Sequence, residues 1–575
     1  MCMPYTKSSF SSSLAAALLA CATVGTLAAQ RTLYVSPVGS NQNDGSSEAT
    51  AFATISLATR LAQPGDTVLV MPGDYRRETP GNQWDEVNVG RAGRAGQYIT
   101  IRGVRDAEGR RPRIISTQRQ ALSTYQKSYI VIEGLELTIG EEDDQGHRSS
   151  SDPNFGEESW LGRVGIAMNS SHHIIARDCY IHDFPGNAIN CGGSDVILIE
   201  DCVFEHNGYL ASNANSGLSF YQLRDRGVGD LTAEGYPGYH VVVRNCVARY
   251  NVNLRNFVAW SPTNITDGNG IIVDDLRRTQ GSGGAPYPHR TLLLGNQCYG
   301  NGGPGINIYE SDHVDLYHNS LADNGQSSSL ANQAFRIVAS NKELQVYEAS
   351  DIRVVNNLLY ATDDDRLFIG GGNREDFVVR SNLVFSTEVD ASTAIVPEGE
   401  NNFYADPQVV SVEPMTRLER ELLARTRKPY NLESPQATLR EPTVSRGFPI
   451  QDLRLTAGSP AIDAGEDLRL PFWTTVGAPD VGAFEFDGSS GLREAAPVTH
   501  DLTGRLHYDG AEVRVADLTA GVRVFVYDAS GRMVYGGAAS SDGDFGISAS
   551  DFAAGPLTVE VRQGGERWVG RVVIH

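Results

Sequence analysis

The chain has 575 residues and a formal net charge of −22, and 40% of its residues are hydrophobic but only 8% aromatic. Such acidity argues against nucleic acid or an anionic membrane surface as a partner, and no internal run of 18 apolar residues predicts a membrane span. Together with 60 glycines, this composition is typical of a turn-rich β protein.

The N-terminal segment has the organisation of an export signal. Lys7 and a serine stretch precede the apolar run LAAALLACATVGTLAA. This order predicts a signal peptide at 1–29, cleaved after Ala29, and a protein that is secreted or held at the outer cell surface. Cleavage at Cys21, as in a lipoprotein, is the alternative.

The next segment combines the phrases YVSPVGSNQNDG, FATISLATRLA and PGDTVLVMPGDYRR. In the second phrase the apolar residues recur at helical spacing, which predicts a short amphipathic helix before the first long strand. This helix would cover the open end of the structure that follows. The apolar residues are Phe52, Ile55, Ala58, Leu61 and Ala62.

From about Leu135 to Asn382 the sequence repeats with a basic period of 23 residues, written in short apolar strands and Asn, Cys or Gly turns. One equivalent slot is filled by Leu135, Cys179, Cys202, Cys246, Asn296, Asn319, Asn357 and Asn382. Alternating strands with this period predict a parallel β-helix, whose coils stack about 4.8 Å apart. Equivalent side chains should then form ladders, with Asn296 paired to Asn319. Longer spacings predict excursions near 140–160, 209–238, 253–268, 276–290 and 340–350.

Five cysteines follow the signal segment, namely Cys179, Cys191, Cys202, Cys246 and Cys298. Their number is odd and no CxxC pair occurs, so we interpret them as buried structural thiols. Four histidines near turns, at 172, 173, 182 and 206, lack the spacing of a zinc site and are interpreted as solvent-facing or turn-bonding.

The three N-terminal phrases resemble the start of secreted proteins of the pectin-lyase-like superfamily. The resemblance implies an all-β, right-handed parallel β-helix over 30–400 with an N-terminal cap helix. DLRLTAGSPAIDAG and DVGAFEF resemble the closing module of such proteins, which implies a final coil and C-terminal cap over 401–486.

A GSSG-containing stretch predicts a linker at 487–498. Beyond it, VRVFVYDASGRMVYGG and the apolar C terminus RVVIH resemble the C-terminal sorting domain of the type IX secretion pathway. The resemblance implies a small antiparallel β-sandwich at 499–575 and the secretion machinery as a partner. A plain carbohydrate-binding or fibronectin-like sandwich is the alternative.

Strand alternation predicts an outward row of Asn190, Ser219, Asn307 and Arg336, beside a second row that contains Tyr221, Asp274 and Tyr309. Such a long polar and aromatic ribbon suits an extended polysaccharide. The residues expected to bind this substrate are Asn190, Tyr221, Asp267, Asn269, Arg277, Asn307 and Tyr309.

Four carboxylates on neighbouring coils, those of Asp274, Asp275, Glu310 and Asp312, offer the hard oxygen ligands of a Ca²⁺ site. A cation would also join this acidic protein to an acidic polymer. We therefore predict a calcium-assisted polysaccharide lyase that acts by β-elimination on a uronate polymer. Lyases of the superfamily use either Lys or Arg as the base, which makes Arg336 and Lys342 the candidates.

Two alternatives stay open. A glycoside hydrolase on the same scaffold would use two carboxylates, such as Asp274 with Glu310 or Asp275 with Asp312. A non-catalytic surface adhesin would bind glycan without turnover. In all three cases we expect a monomer.

Overall fold

The computed structural model describes residues 30–486 with internal gaps, and strands between 499 and 574. The gaps are 77–83, 117, 140–162, 209–214, 254–255, 258–260, 282, 327–335, 338–341, 363–367, 388–399, 413–450, 474 and 476. The predicted signal peptide (1–29) and linker (487–498) lie outside the described residues.

The first half contains α1 (Ile55–Leu61), two 3₁₀ turns (Glu48–Thr50 and Thr232–Glu234) and the first eighteen strands. These strands are β1 (Thr32–Val35), β2 (Thr67–Val70), β3 (Asp74–Tyr75), β4 (Asp85–Asn88), β5 (Ile99–Gly103), β6 (Arg113–Ser116), β7 (Gln120–Ser123), β8 (Ser128–Glu133), β9 (Glu136–Ile139), β10 (Val164–Ala167), β11 (His172–Arg177), β12 (Tyr180–His182), β13 (Ile189–Gly192), β14 (Asp195–Glu200), β15 (Val203–Glu205), β16 (Leu218–Tyr221), β17 (Tyr239–Arg244) and β18 (Val247–Arg249).

The following strands are β19 (Asn256–Phe257), β20 (Ser261–Ile265), β21 (Ile271–Asp274), β22 (Arg290–Leu294), β23 (Gln297–Tyr299), β24 (Ile306–Tyr309), β25 (Val314–Tyr317), β26 (Ser320–Ala322), β27 (Arg336–Ile337), β28 (Leu344–Val355), β29 (Leu358–Ala361), β30 (Phe368–Arg380), β31 (Leu383–Ser386), β32 (Phe403–Tyr404), β33 (Val409–Ser411) and β34 (Asp452–Leu455). The C-terminal strands are β35 (Thr499–Asp501), β36 (Leu506–Tyr508), β37 (Glu512–Leu518), β38 (Arg523–Tyr527), β39 (Met533–Ala538), β40 (Gly543–Ser548), β41 (Gly555–Gln563) and β42 (Glu566–Ile574).

The solenoid strands stack in three parallel columns, which successive coils visit in the same order. Column 1 holds β4, β7, β10, β13, β16, β21 and β24; column 2 holds β1, β2, β5, β8, β11, β14, β17, β22 and β25; column 3 holds β3, β6, β9, β12, β15, β18, β23, β26, β29, β31 and β32. Strands β28 and β30 are long enough to run through both column 1 and column 2. The chain is therefore an all-β, right-handed parallel β-helix, as predicted, with the hand that parallel crossovers favour.

Alternation decides which side chains enter the core. In column 1, the first residue of each of four successive strands points inward and is fully buried; these residues are Ile189, Leu218, Ile271 and Ile306. The residue that follows each of them in its strand points outward. The predicted cap helix is present as α1, with Thr54 capping its N terminus and Ile55 and Ala58 buried against the first coil.

Stacked asparagines hold the turns together, which confirms the predicted ladder. Asn296 donates from Nδ2 to Oδ1 of Asn319 at 3.0 Å, and Asn319 repeats the bond to Asn357 at 2.9 Å. Cys179, Cys202 and Cys246 occupy the same slot in earlier coils, and all five body cysteines are buried free thiols. A second ladder that we did not predict runs through Asn207, Asn251, Asn301 and Asn324 and ends on the buried carboxylate of Glu343.

The described residues between 401 and 486 pack along the sides of the solenoid as well as extending its end. Leu468, Leu470, Phe472 and Trp473 pack on the apolar outer face of column 2. Leu453, Val412 and Phe484, and a second group with Leu455, Ala461 and Val481, pack on the outer face of column 3. Strand β32 extends column 3 by one rung. The described residues of this segment that form these clusters lie on columns 2 and 3, whereas on the outer face of column 1 Ile272 and Asn307 are also buried, at 4% and 7% exposed.

The C-terminal strands form a five-stranded sheet and a three-stranded sheet. Apart from the parallel pair β35–β42, all their pairings are antiparallel. The predicted small antiparallel module is therefore present. No helix in the described part of the chain is long and apolar enough to cross a membrane.

One predicted excursion is wrong. The sequence 340–350 was expected to leave the solenoid, whereas Leu344–Val355 is a continuous strand that pairs with β24 and β25. The additional residues of this coil lie before Leu344, because the rung after Ile306 is occupied by Leu344, 38 residues later.

Candidate functional site

The outer face of column 1 carries a row of aromatic and acidic side chains. Tyr221, Asp274, Tyr309 and Tyr347 are register partners on four successive rungs. Tyr221 is 37% exposed, and the rings of Tyr309 and Tyr347 stack with centroids 4.9 Å apart. The predicted alternation therefore places Tyr221, Asp274 and Tyr309 together on the outer face.

The residue that follows each member of this row turns the chain towards column 2. Gln222, Asp275, Glu310 and Glu348 all have φ between 47° and 51°, the left-handed region that non-glycine residues seldom adopt. Because the same turn recurs in each coil, Asp275 and Glu310 lie on adjacent rungs beside Asp274. The carboxylates of Asp274 and Glu310 thus belong to neighbouring coils, as the sequence predicted.

Asp274 lies in an environment that favours the protonated acid. Its pKa is raised well above the ordinary value, first by burial and then by the negative charges of Asp267, Asp275 and Glu310. A hydrogen bond of 2.8 Å from Nε2 of Gln280 opposes this shift without outweighing it. A carboxyl group whose pKa is raised in this way can serve as a general acid.

The four carboxylates predicted to bind Ca²⁺ do not form one ligand group. In the described residues, no three of them bring their oxygens within 4.8 Å of one another. Asp275 is buried and accepts hydrogen bonds from Nε2 of Gln222 at 2.6 Å and from the backbone of Thr279 at 2.5 Å.

Asp312, the fourth predicted ligand, is also engaged by the protein. It forms an ion pair of 2.7 Å with Arg277 and accepts hydrogen bonds from the backbone and hydroxyl of Ser350. Asp275 and Asp312 are thus each bound to protein donors, and calcium binding by the four carboxylates stays a prediction. Arg277, predicted to bind substrate, is likewise occupied by Asp312.

A row of amides and hydroxyls runs beside the aromatic row, on the rungs of Asn190, Ser219, Ile272 and Asn307. Asn190 donates to Asn169 at 3.0 Å. In the described part of the chain, the buried Oδ1 of Asn307 has no hydrogen-bond partner. The row therefore contains a buried acceptor for which the described residues supply no donor.

Asn269 and Asp267 lie at the start of the same strands. Asn269 receives a hydrogen bond of 3.3 Å from Asn307 and donates to Asp267 at 3.1 Å. Burial raises the pKa of Asp267, against the hydrogen bonds that it accepts from Thr266 and Asn269. These two residues therefore connect the amide row to the acidic cluster.

Neither candidate base is a register neighbour of Asp274 in column 1. Arg336 belongs to β27, which pairs with Asn264 of β20 in a separate three-stranded sheet, so the prediction that it continues the row of Asn307 is wrong. That position is occupied by Gln345. Lys342 lies two coils beyond Asp274, just before β28 and at the opposite end of the column 1 strands.

The structure also reveals a buried charge cluster that sequence reasoning missed. Asp183 accepts a 2.6 Å hydrogen bond from Nδ1 of His182 and a second bond from His206. Burial lowers the pKa of His182, but its bonds to Asp183 and Glu136 outweigh burial and raise that pKa to about 9. The interpretation of His182 and His206 as solvent-facing or turn-bonding is therefore wrong, because coil stacking places carboxylates beside them.

The family described as "right handed beta helix region" matches residues 164–344. No curated protein matches the chain. Among solved structures, the chain is similar to the pectate lyase Pel9A (15% identity, 80% of this chain and 97% of the other, TM-score 0.42). It is also similar to a rhamnogalacturonan lyase, with 14% identity over 67% of this chain and 91% of the other and a TM-score of 0.39. A third similar structure is PfbA, a surface adhesin of Streptococcus pneumoniae, with 12% identity over 61% of this chain and 84% of the other and a TM-score of 0.32. The activities named are those of the compared proteins.

Proposed function

We propose that the protein cleaves a polysaccharide bound along the outer face of column 1, and that Asp274 donates a proton to the departing glycosidic oxygen. One observation carries the proposal: a carboxyl group with a raised pKa lies between Tyr221 and Tyr309 on the outer face of column 1. Aromatic faces offer the apolar surface on which sugar rings pack. A neutral carboxylic acid at that position supplies the proton.

Hydrolysis is the reaction that this geometry supports best, because a second carboxylate lies one rung away. Asp274 protonates the glycosidic oxygen as the bond to the sugar carbon breaks, and Glu310 serves as the nucleophile or as the base for water. Rungs about 4.8 Å apart are close to the separation of roughly 5 Å between carboxyl groups in retaining enzymes. This reading favours the hydrolase alternative over the lyase first predicted.

β-Elimination is the second candidate, and Arg278 favours it. This side chain is 9% exposed and donates 2.7 Å to the carbonyl of Gln222, next to Tyr221. In the described residues its buried Nε has no hydrogen-bond partner. The positive charge of this guanidinium beside the row would help to neutralise the carboxylate of a uronate, which acidifies the neighbouring C–H bond.

A substrate panel distinguishes the two reactions. The protein is incubated with pectic, alginate, glucuronan and neutral polysaccharides, with and without EDTA, and products are followed by reducing ends and by absorbance near 235 nm. New reducing ends without that absorbance indicate hydrolysis, and a rise in absorbance indicates β-elimination. Activity that survives EDTA would contradict the predicted calcium dependence. Glycan binding without products from any polymer would overturn the proposal in favour of an adhesin.

We expect Tyr221→Ala to weaken substrate binding. Loss of one stacking face should raise KM about tenfold, corresponding to about 1.4 kcal/mol, with little effect on stability because the ring is 37% exposed. Tyr404→Ala is the matched control, since Tyr404 is 44% exposed but lies on column 3. Equal KM values for the two variants would exclude the column 1 face as the substrate site.

We also propose that the protein is exported, with 1–29 as its signal and 499–575 as a sorting domain for the type IX secretion machinery. The sequence patterns of both segments support this proposal, as does the antiparallel module formed by β35–β42. Intact mass and N-terminal sequencing of protein from the medium or cell surface should give Gln30 as the first residue. A mature chain that begins at Met1, or at a lipidated Cys21, would contradict it.

A further inference from the structure

The row of side chains that contains Asp274 continues for three more rungs towards the N terminus. Strands β7, β10 and β13 are in register in column 1. The same register, carried on by two residues, aligns Tyr125, Asn169 and Gly192, and Gly192 in turn pairs with Tyr221. Tyr125 therefore lies four rungs from Asp274.

The backbone shows that the register does not shift along this stretch. The N–H of Gln126 donates to the carbonyl of Asn169 at 3.2 Å, and the N–H of Ser170 donates to that of Gly192 at 2.8 Å. In each of the seven coils the residue after the row has φ between 47° and 60°; these residues are Gln126, Ser170, Gly193, Gln222, Asp275, Glu310 and Glu348. The extended row, whose members are all at least partly exposed, thus consists of Tyr125, Asn169, Gly192, Tyr221, Asp274, Tyr309 and Tyr347.

The first members of the extended row carry groups that hold a sugar residue. Tyr125 is 53% exposed, and Nε2 of Gln126 donates to its hydroxyl at 3.2 Å. Oδ1 of Asn169 accepts hydrogen bonds from Nδ2 of Asn190 at 3.0 Å and from the N–H of Gly192 at 2.8 Å. Nδ2 of Asn169 donates to no protein atom among the described residues. An aromatic face and an amide donor are thus both available to a ligand.

Gly192 leaves a gap in the extended row between Asn169 and Tyr221. It has no side chain, and a Cβ at this position would meet Oδ1 of Asn169 at 3.0 Å. A ligand can therefore approach the backbone closely at this rung. Because Tyr125 is four rungs, or roughly 19 Å, from Asp274, a ligand that contacts both must be a chain of several sugars.

The two ends of the extended row differ in charge. Nζ of Lys127 lies 3.5 Å from the carbonyl of Tyr125, and Arg226 donates to the carbonyl of Gly193 at 2.6 Å. In the described part of the chain, neither cation forms an ion pair with a carboxylate. The acidic side chains of the row are instead grouped around Asp274. Unpaired cations on a protein of net charge −22 favour a negatively charged ligand at this end.

We propose that Tyr125, Asn169 and Gly192 form a distal subsite for negatively charged sugar residues of the polysaccharide that is cleaved at Asp274. Lys127 and Arg226 attract the carboxylate or sulfate groups of those residues. The inference rests on the function proposed above and adds the length and the charge of the substrate. A chain held from the distal subsite to Asp274 is cut within its length, not one sugar at a time from its end.

The first test measures binding without turnover, in the full chain that carries Asp274→Asn. Native electrophoresis is run through gels that contain polygalacturonate, alginate, glucuronan, carrageenan or a neutral glucomannan. At least one charged polymer should retard the protein, and the uronate polymers compared with carrageenan distinguish carboxylate from sulfate. Retardation by the neutral polymer alone, or by none of them, would overturn the proposal.

The second test locates the distal subsite. In the same background, Tyr125→Ala should weaken binding of the retarding polymer about tenfold, whereas Tyr404→Ala on column 3 should not. Long fragments of that polymer should compete better than short ones, and Tyr125→Ala should abolish this advantage. Equal affinities of the two variants would refute the subsite.

The third test concerns charge. Lys127→Gln should weaken binding about threefold at low salt, and the difference should vanish near about 1 M salt, where the screening length is about 3 Å. Arg469→Gln is the control, because Arg469 is also exposed but lies between Leu468 and Leu470, which pack on column 2. Equal losses in both variants would mean that the attraction is not local to Lys127 and would contradict its role.

The distal subsite and the proposed cleavage can fail separately. Products from the wild type, with no effect of Tyr125→Ala on affinity, would refute the subsite and leave the cleavage intact. Binding that depends on Tyr125, with no products from any polymer, would refute the cleavage and leave a glycan-binding row.

Discussion

Replacing Asp274 by asparagine is expected to lower kcat about 10³-fold, because general acid catalysis contributes roughly 10²–10⁴. Asparagine keeps the shape and the contact with Gln280 but cannot release a proton. In the wild type, kcat/KM should fall as pH rises through the pKa of Asp274, since the acid must be protonated to act. That limb of the pH profile should disappear in the residual activity of the variant.

The same substitution should stabilise the protein at neutral pH. The folded-state pKa of Asp274 lies above its ordinary value of 3.8, so its contribution to stability is present below that ordinary value and is lost as pH rises through the folded-state pKa. Asparagine stays neutral throughout. The thermal midpoint of Asp274→Asn should therefore exceed that of the wild type at pH 7 and approach it at pH 3.

Asp312→Asn serves as the control, because Asp312 lies near the cluster but is bound to Arg277 and Ser350. It should keep kcat within a few-fold of the wild type. Full activity of Asp274→Asn, or an equal loss in both variants, would show that Asp274 is not the acid.

Asn319→Ala should lower the free energy of unfolding by about 4 kcal/mol, as expected when several buried hydrogen-bonding groups lose their partners. Asn319 donates from Nδ2 to the carbonyl of Leu293 and to Asn357, both at 2.9 Å. It also accepts two hydrogen bonds of 3.0 Å from Asn296. Truncation leaves these partners in a dry interior, where water cannot replace Asn319.

The matched control is Cys246→Ala in an earlier coil of the same ladder. Cys246 contributes mainly packing there, so its truncation should cost only about 1 kcal/mol. Urea denaturation, with the slope m compared between variants, measures both losses. A difference of less than 1 kcal/mol between the variants would mean that the amide ladder adds little beyond filled space.

Local repetition made much of the fold predictable. The slot shared by Asn296, Asn319 and Asn357 fixed the coil register, and alternation within GLSFY and GINIY placed Tyr221 and Tyr309 outward. The prediction for Arg336 was wrong because the sequence AFRIV has the pattern of a column 1 strand. The strand that follows β24 in column 1 begins at Leu344 instead.

The chemistry of the site depended on contacts between coils, which no single repeat contains. The pairing of Asp312 with Arg277, which removes two predicted site residues at once, joins neighbouring coils through their turns. In the buried charge cluster, His206 follows Asp183 by 23 residues and His182 by 24, close to the basic coil period of 23 residues. Following the coil period from one histidine to the next could have identified this group.

The segment that covers columns 2 and 3 comes late in the sequence. This order affects how the chain can fold during synthesis. A nascent chain could form its coils from the N terminus. The apolar outer faces of columns 2 and 3 would nevertheless stay exposed to solvent until residue 486 had been synthesised. A chain that ends before residue 451 would expose these apolar faces and would be prone to aggregate with other copies of itself. The described residues of 401–486 are therefore needed to shield the apolar outer faces of columns 2 and 3 from water.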